Sequence, residues 1–280
     1  MLILRLLTAA VLALVLLPSL FFGPPFLWAA LSLAFLVAAA WEWARLKSPQ
    51  ANPFDFLQRL ALPIAVALPG LGLLYGMLAQ VTAEPFNLIL YALAGLFWLV
   101  PATSLMLRLE VQRVPLSLAW VLLTAAWLAG VDARLHGVAD LLSIIFLVIA
   151  ADTFAYFAGR AFGRHKLAPT ISPGKTIEGA IGGVLGVFLV AAVCIFYVPF
   201  PNFFSRTWLS LGWLAPLLWL VLTALSILGD LFESSLKRAA GAKDSSQLLP
   251  GHGGVLDRVD ALLPVLPVAM LCLRAVESLS

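Results

Sequence analysis

Four aspartates in the second half of this 280-residue chain have the types and spacing to hold a metal ion against phosphate. Asp152 stands in VIAADTFAYF and Asp230 in LSILGDLFESSLKR, while Asp257 and Asp260 follow the glycine-rich segment LPGHGG. Three residues apart, Asp257 and Asp260 fall on one face of a helix. An ionised aspartate at the centre of a bilayer costs at least ~2.5–3.5 kcal/mol, so such residues face partners or serve function. Carboxylates gathered at one membrane boundary repel each other unless a cation lies between them. Oxygen-only ligands favour Mg²⁺, which takes one or two carboxylates and completes its shell with phosphate oxygens. For Asp257 or Asp260 alone, a cap in the first turn of a helix is the simpler reading. With Asp230 and the neighbouring bases the set points to a metal.

The neighbouring bases are Lys237, Arg238, Lys243, His252 and Arg258. Such cations neutralise phosphate oxygens, and arginine does so bidentately. Gly251, Gly253 and Gly254 flank His252 and let backbone N–H groups approach an anion. Read singly, Lys237 and Arg238 are ordinary cytoplasmic anchors and Gly253-Gly254 a turn before a helix. A second polar stretch, GRAFGRHKLAPTISPGKTIEG (159–179), adds Ser172, Lys175 and Thr176. Its SPGKT resembles the end of a P-loop, but Pro169 stands where that motif needs its first glycine. Ser172 with Lys175, and Ser234 with Lys237, have Ser-x-x-Lys spacing without the partner motifs of the serine acyltransferring enzymes. His252-Gly-Gly similarly lacks a Gly-x-Ser-x-Gly companion.

These residues must be positioned by apolar elements. The chain is 62% hydrophobic and 11% charged, against about 25% charged in soluble domains, which makes it an integral membrane protein. A net charge of +3 and the lack of a basic groove interleaved with aromatics exclude nucleic acid as a partner. Cys194 and Cys272 lie in apolar runs, outside any zinc spacing, and read as packing residues. At about 20 apolar residues per helix, spans fall near 3–22, 26–44, 60–79, 86–107, 115–131, 138–158, 179–199, 209–230 and 261–277. The fold class is therefore all-α, a polytopic membrane bundle of about nine helices with the fifth short. The first run lacks a small-residue cleavage site and reads as a retained span.

Thirteen of the 17 Lys and Arg residues fall in the loops after spans 2, 4, 6 and 8, which makes that side cytoplasmic. Arg5, Arg134, Arg206 and Arg274 are left for the other side. The repeats Gly179-xxx-Gly183 and Gly182-xxx-Gly186 predict a close-packing helix face. The polar residues concentrate after 150, so 1–280 reads as one transmembrane domain, with scaffold helices over 1–135 and catalytic helices and loops over 136–280.

Residues 234–260, SSLKRAAGAKDSSQLLPGHGGVLDRVD, resemble the defining motif of the phosphatidate cytidylyltransferases. The matching positions are Ser234, Leu236, Lys237, Arg238, Lys243, Asp244, Ser246, Leu249, Pro250, His252-Gly253-Gly254, Val255 and Asp257-Arg258-Val259-Asp260. A second stretch is similar through Asp152, Ala155-Tyr156, Gly159-Arg160, Gly163, Ser172-Pro173, Lys175-Thr176 and Glu178-Gly179, with Ile177 where an aromatic is expected. The likeness covers roughly 150–260; the first 130 residues match only in hydropathy.

The resemblance implies that CTP and phosphatidic acid give CDP-diacylglycerol and pyrophosphate at a cytoplasmic site of the cell membrane, with Mg²⁺ and room for a second cation. It implies Asp230, Asp257 and Asp260 as metal ligands. Lys237, Arg238, Lys243, Asp244, His252 and Arg258 would act on the reacting phosphates. Ser172, Lys175, Thr176, Asp152, Gly253 and Gly254 would bind substrate. The implied partners are CTP, phosphatidic acid, the bilayer and a second copy in a homodimer. A CTP-dependent lipid-alcohol kinase would instead move the γ-phosphate. A secondary transporter would use the aspartates as ion sites, and calls for internal repeats that the one-sided polar distribution lacks.

Overall fold

The computed structural model describes residues 2–47, 53–78, 84–108 and 110–277. It is a helical bundle. The helices are α1 (Leu2–Phe21), α2 (Pro25–Lys47), α3 (Pro53–Leu78), α4 (Glu84–Leu99), α5 (Pro101–Leu107), α6 (Leu116–His136), α7 (Val138–Phe162), α8 (Ile177–Phe196), α9 (Phe203–Leu211), α10 (Ala215–Ala239), α11 (Leu256–Val259) and α12 (Leu262–Glu277). Seven helical stretches among the described residues are long and apolar enough to cross a membrane, with Leu6–Phe21 a shorter apolar helix. Each of the nine expected spans contains α-helix, with residues 22, 100, 115, 197–199, 212–214 and 261 outside the α-helices; the end of the third, residue 79, lies outside the described residues.

The fourth, fifth and eighth spans differ from the sequence reading; the eighth crosses a 3-10 turn at Gly212–Leu214 between α9 and α10, and the other two differ for local reasons. The fourth span is two helices, α4 and α5, because Pro101, the first residue of α5, has no N–H to carry the hydrogen-bond ladder on across Val100. The fifth span is not short. α6 runs on through Asp132 and Arg134 to His136, because Asp132 is neutralised by Arg274 of α12 at 2.5 Å and Arg134 reaches the Gly23 carbonyl. Charges that look like a helix end in sequence are here paired inside the bundle.

The glycine face is where it was expected. α8 lies so close to α7 that a Cβ on Gly183 would stand 2.7 Å from the Ala151 carbonyl oxygen, and one on Gly186 2.4 Å from the Phe154 ring. Between them the chain makes a two-stranded antiparallel hairpin, β1 (Lys166–Ala168) and β2 (Ser172–Thr176), the one sheet among the described residues of an otherwise helical fold. Thr176 ends β2 and caps α8, its hydroxyl accepting the Gly179 N–H at 3.1 Å. The hairpin is thereby fastened to the α7–α8 seam.

A second anchor fixes α10. Phe232 is buried with its ring 5.9 Å from Trp43 of α2, and 5.8 and 5.2 Å from Phe97 and Trp98 of α4. Such aromatic contacts contribute about 0.5–1.5 kcal/mol each beyond area burial. They hold the last turns of α10 against α2.

The arginines left for the sparse side cluster at one end of the bundle. Besides the Arg274–Asp132 pair, Arg206 of α9 approaches Asp140 of α7 at 3.3 Å and Glu277 of α12 at 3.9 Å. Arg5 is the exception to that assignment. Thr8 donates to the Pro250 carbonyl at 2.9 Å, so the start of α1 lies at the same end as 249–260. The position of Arg5, less than a turn earlier in α1, belongs with the thirteen.

Candidate active site at the end of α10

α10 is apolar until Gly229 and then carries Asp230, Glu233, Ser234 and Lys237 at helical spacing, so these residues share one face. Two clusters form on it. In the first, Lys175 from β2 places its ammonium 2.7 Å from Asp230 Oδ2, while the Ser234 hydroxyl donates to Asp230 Oδ1 at 3.3 Å. A cleft of about 520 Å³ opens beside this pair. Asp152, Ser172, Lys175 and Thr176 line it together with Asp230, so four of the six residues expected to bind substrate come together, while Gly253 and Gly254 lie outside it.

In the second cluster, Lys237 bridges two carboxylates, Glu233 at 2.5 Å and Asp257 Oδ1 at 2.6 Å. Asp257 Oδ2 also accepts the Gly254 N–H (2.8 Å) and the Ser245 N–H (3.0 Å), and shares the single proton of the Ser245 hydroxyl (2.9 Å) with Glu42. Burial alone would raise the Asp257 carboxyl. The Lys237 ammonium and the Gly254 N–H outweigh it and hold the group at about 2. Asp260 begins the approach to α12 and is half-buried, with the Ala261 N–H on Oδ1 at 2.8 Å. Burial, and then the Asp230 carboxylate, push its carboxyl up to about 7. The close approach that allows this is at Gly229, where a Cβ would stand 2.5 Å from the Asp260 carbonyl oxygen.

The glycines of LPGHGG do bring backbone N–H groups to anions, but the anions are protein carboxylates. Gly251 and Gly253 take positive φ, 77° and 85°, which folds the segment back so that Leu249 and Gly253 pair. Gly254 donates to Asp257, and a Cβ there would lie 1.9 Å from the Ser245 hydroxyl and 2.5 Å from Glu42. The other predicted cations stand further out. Arg238, Lys243 and Asp244 are exposed, with Arg238 Nε 3.5 Å from the Ile171 carbonyl. His252 is half-buried, and its Nδ1 lacks a hydrogen-bond partner. Arg258 donates twice to the His252 carbonyl, at 2.6 and 3.1 Å. It lines a different, apolar cavity of about 360 Å³ bounded by α1, α2 and α6.

Sequence reasoning passed over Glu233, Ser245 and, above all, Glu42. Glu42 lies in α2, is fully buried, and accepts hydrogen bonds from Ser245, Ser246, Val255 and Leu256. The available signal was a carboxylate within the apolar second span, the same signal that picked out Asp152.

Comparison with known proteins covers the whole arrangement. A profile described as the Cytidylyltransferase family matches residues 3–276. A phosphatidate cytidylyltransferase of Haemophilus influenzae is 36% identical over 94% of this chain and 95% of its own length. Proteins of the same name from Staphylococcus haemolyticus and Staphylococcus aureus are 45% and 42% identical, over 48% and 49% of this chain and 49% and 50% of theirs. With α10, the hairpin and the 240–260 loop all inside the matched span, the chain belongs to the cytidylyltransferase family.

Proposed function

We propose that the protein transfers CMP from CTP to phosphatidic acid, giving CDP-diacylglycerol and pyrophosphate, at the end of α10. The observation that carries the site is the 2.7 Å contact of Lys175 with Asp230, which joins the two polar loops in one cleft beside apolar helices. The names of the relatives support the substrates.

The chemistry needs little from the protein in bond making. A lipid phosphomonoester with a second pKa near 6 is mostly dianionic at pH 7. Its oxygen forms a bond to the α-phosphorus of CTP. The bond from that phosphorus to the α–β bridging oxygen breaks, and pyrophosphate leaves with the electron pair. Catalysis is then positioning and charge neutralisation. Lys175 and Lys237 supply point charges that can leave their carboxylates for phosphate oxygens.

Mg²⁺ fits the donor set. Asp230 and Asp260 carry like charges in one region of the site, and Asp257 Oδ1, which accepts from Lys237, keeps lone pairs. Among the described residues no three such side chains form a ready-made cage, so phosphate oxygens would have to complete the shell. Asp230, Asp257 and Asp260 would hold the ion, which when bound withdraws charge from the phosphates.

The site faces the cytoplasm in this reading. The surplus of Lys and Arg lies at that end, while three arginines at the other end are paired or bonded internally. The test is product analysis of the purified protein in detergent with labelled CTP, phosphatidic acid and Mg²⁺. CDP-lipid with pyrophosphate supports the proposal; CDP with a phosphorylated lipid alcohol, or no nucleotide turnover, overturns it.

A further inference from the structure

Glu42 is a carboxylate in a helix otherwise committed to apolar packing, and it is 0% exposed. A buried charge is tolerable only when hydrogen-bonded or paired. None of the ion pairs among the described residues includes Glu42, so its compensation comes from hydrogen bonds, and all four come from the loop that follows α10. Oε2 accepts the Leu256 N–H at 2.6 Å and the Ser245 hydroxyl at 3.0 Å. Oε1 accepts the Val255 N–H at 3.0 Å and the Ser246 hydroxyl. Arg45, one turn on in α2, fixes the same loop by donating to the Ser245 carbonyl at 2.7 Å.

Ser245 is the link. Its hydroxyl lies 3.0 Å from Glu42 and 2.9 Å from Asp257 Oδ2, and its N–H also donates to Asp257. Val255 and Leu256, held by Glu42, immediately precede Asp257. Both the side chain and the backbone of Asp257 are therefore located by one carboxylate on a helix of the N-terminal half. The Phe232–Trp43 contact fixes α2 against α10 at the same level.

We propose that Glu42 is a positioning residue for the reaction, acting through Ser245 and the start of α11 to set the direction of Asp257 Oδ1 toward Lys237 and the ion. This rests on the reading of the site given above. It also moves α2 from scaffold into the working part of the molecule.

The test compares Glu42→Gln, Glu42→Asp and Ser245→Ala with the wild-type chain in detergent. The Glu42→Gln change keeps the shape of the side chain but presents an amide NH₂ to two of the four donors, one of them a backbone N–H. Displacing a reacting group by about 1 Å costs up to ~10²-fold. The expected result for Glu42→Gln is a 10- to 100-fold fall in kcat, with KM for phosphatidic acid within about twofold and a higher Mg²⁺ concentration for half-maximal rate. Glu42→Asp recovers part of the rate. Ser245→Ala lowers kcat similarly, and the double variant falls by less than the product of the two. A readout independent of turnover is amide hydrogen exchange, which speeds up at Val255 and Leu256 in Glu42→Gln. The proposal is overturned if folded Glu42→Gln keeps its kcat, Mg²⁺ dependence and exchange. It is equally overturned if activity falls only with the folded fraction, with no recovery in Glu42→Asp. Absence of CDP-lipid from the wild-type chain would instead reject the function, and the exchange result would still decide the contact.

Discussion

Lys175 and Asp230, brought within 2.7 Å by a hairpin and a helix end, form the contact on which the two polar loops converge. The lysine is 23% and the aspartate 32% exposed, so the pair contributes little to stability and is available to substrate. Lys175→Met should leave the melting temperature in detergent within a few degrees. It should lower kcat/KM by about 10- to 150-fold, the equivalent of ~1.5–3 kcal/mol for a charge-assisted contact. A Lys175→Met enzyme with unchanged kcat/KM would remove the lysine from the phosphate site.

Lys237 should behave differently. Its side chain is 15% exposed and lies between Glu233 and Asp257, themselves 3% and 8% exposed. Lys237→Met leaves two carboxylates without their cation, and breaking a buried pair costs ~3–5 kcal/mol. The variant should lose both thermal stability and activity, so scanning fluorimetry separates the two lysines. Equal melting temperatures for the two variants would contradict this geometry.

Gly254→Ala tests the crowding around Glu42. A methyl group there meets the Ser245 hydroxyl at 1.9 Å and the Glu42 carboxylate at 2.5 Å, neither of which can withdraw without losing its hydrogen bonds. Overpacking of this kind costs ~1–3 kcal/mol, and the displaced Asp257 should lower activity at least tenfold. Gly72→Ala in α3, where a Cβ meets nothing within 4 Å, is the control and should be neutral in both assays.

Much of this was legible in the chain itself. Continuous apolar runs fix helices, because a bilayer satisfies backbone groups in no other open segment, and each expected span contains α-helix. The 27-residue motif contains both Lys237 and Asp257, but it gave one to the phosphates and the other to the metal; their 2.6 Å contact is a finding of the fold. What stayed hidden was tertiary. Glu42 reads as one more charge in WEWARLK beside Arg45 and Lys47, since nothing local marks its four donors more than 200 residues away. Arg258 reads from sequence as one of the phosphate-neutralising cations beside Asp257. On a helical turn adjacent residues diverge by about 100°, and Arg258 turns to the His252 carbonyl instead.

The far end of the bundle offers a prediction in which stability and catalysis separate. Arg274 donates to both oxygens of Asp132, at 2.5 and 3.3 Å, and Tyr91 approaches the same carboxylate at 3.5 Å. This joins α12, α6 and α4 at the end opposite the 249–260 loop. Arg274→Met strands a carboxylate that is 8% exposed, so the loss should reach the lower part of the ~3–5 kcal/mol range for a broken buried pair. Asp132→Asn combined with Arg274→Met removes the stranded charge and should recover part of that loss, since uncharged pairs can replace buried ion pairs at little cost. Neither change reaches α10, the hairpin or the Glu42 loop. Turnover per folded molecule should stay within about twofold of wild type, measured as CDP-lipid formed against the monodisperse fraction on gel filtration. A kcat that fell with the melting temperature in Arg274→Met and rose again in the double variant would instead couple the two ends through α12, which begins two residues after Asp260.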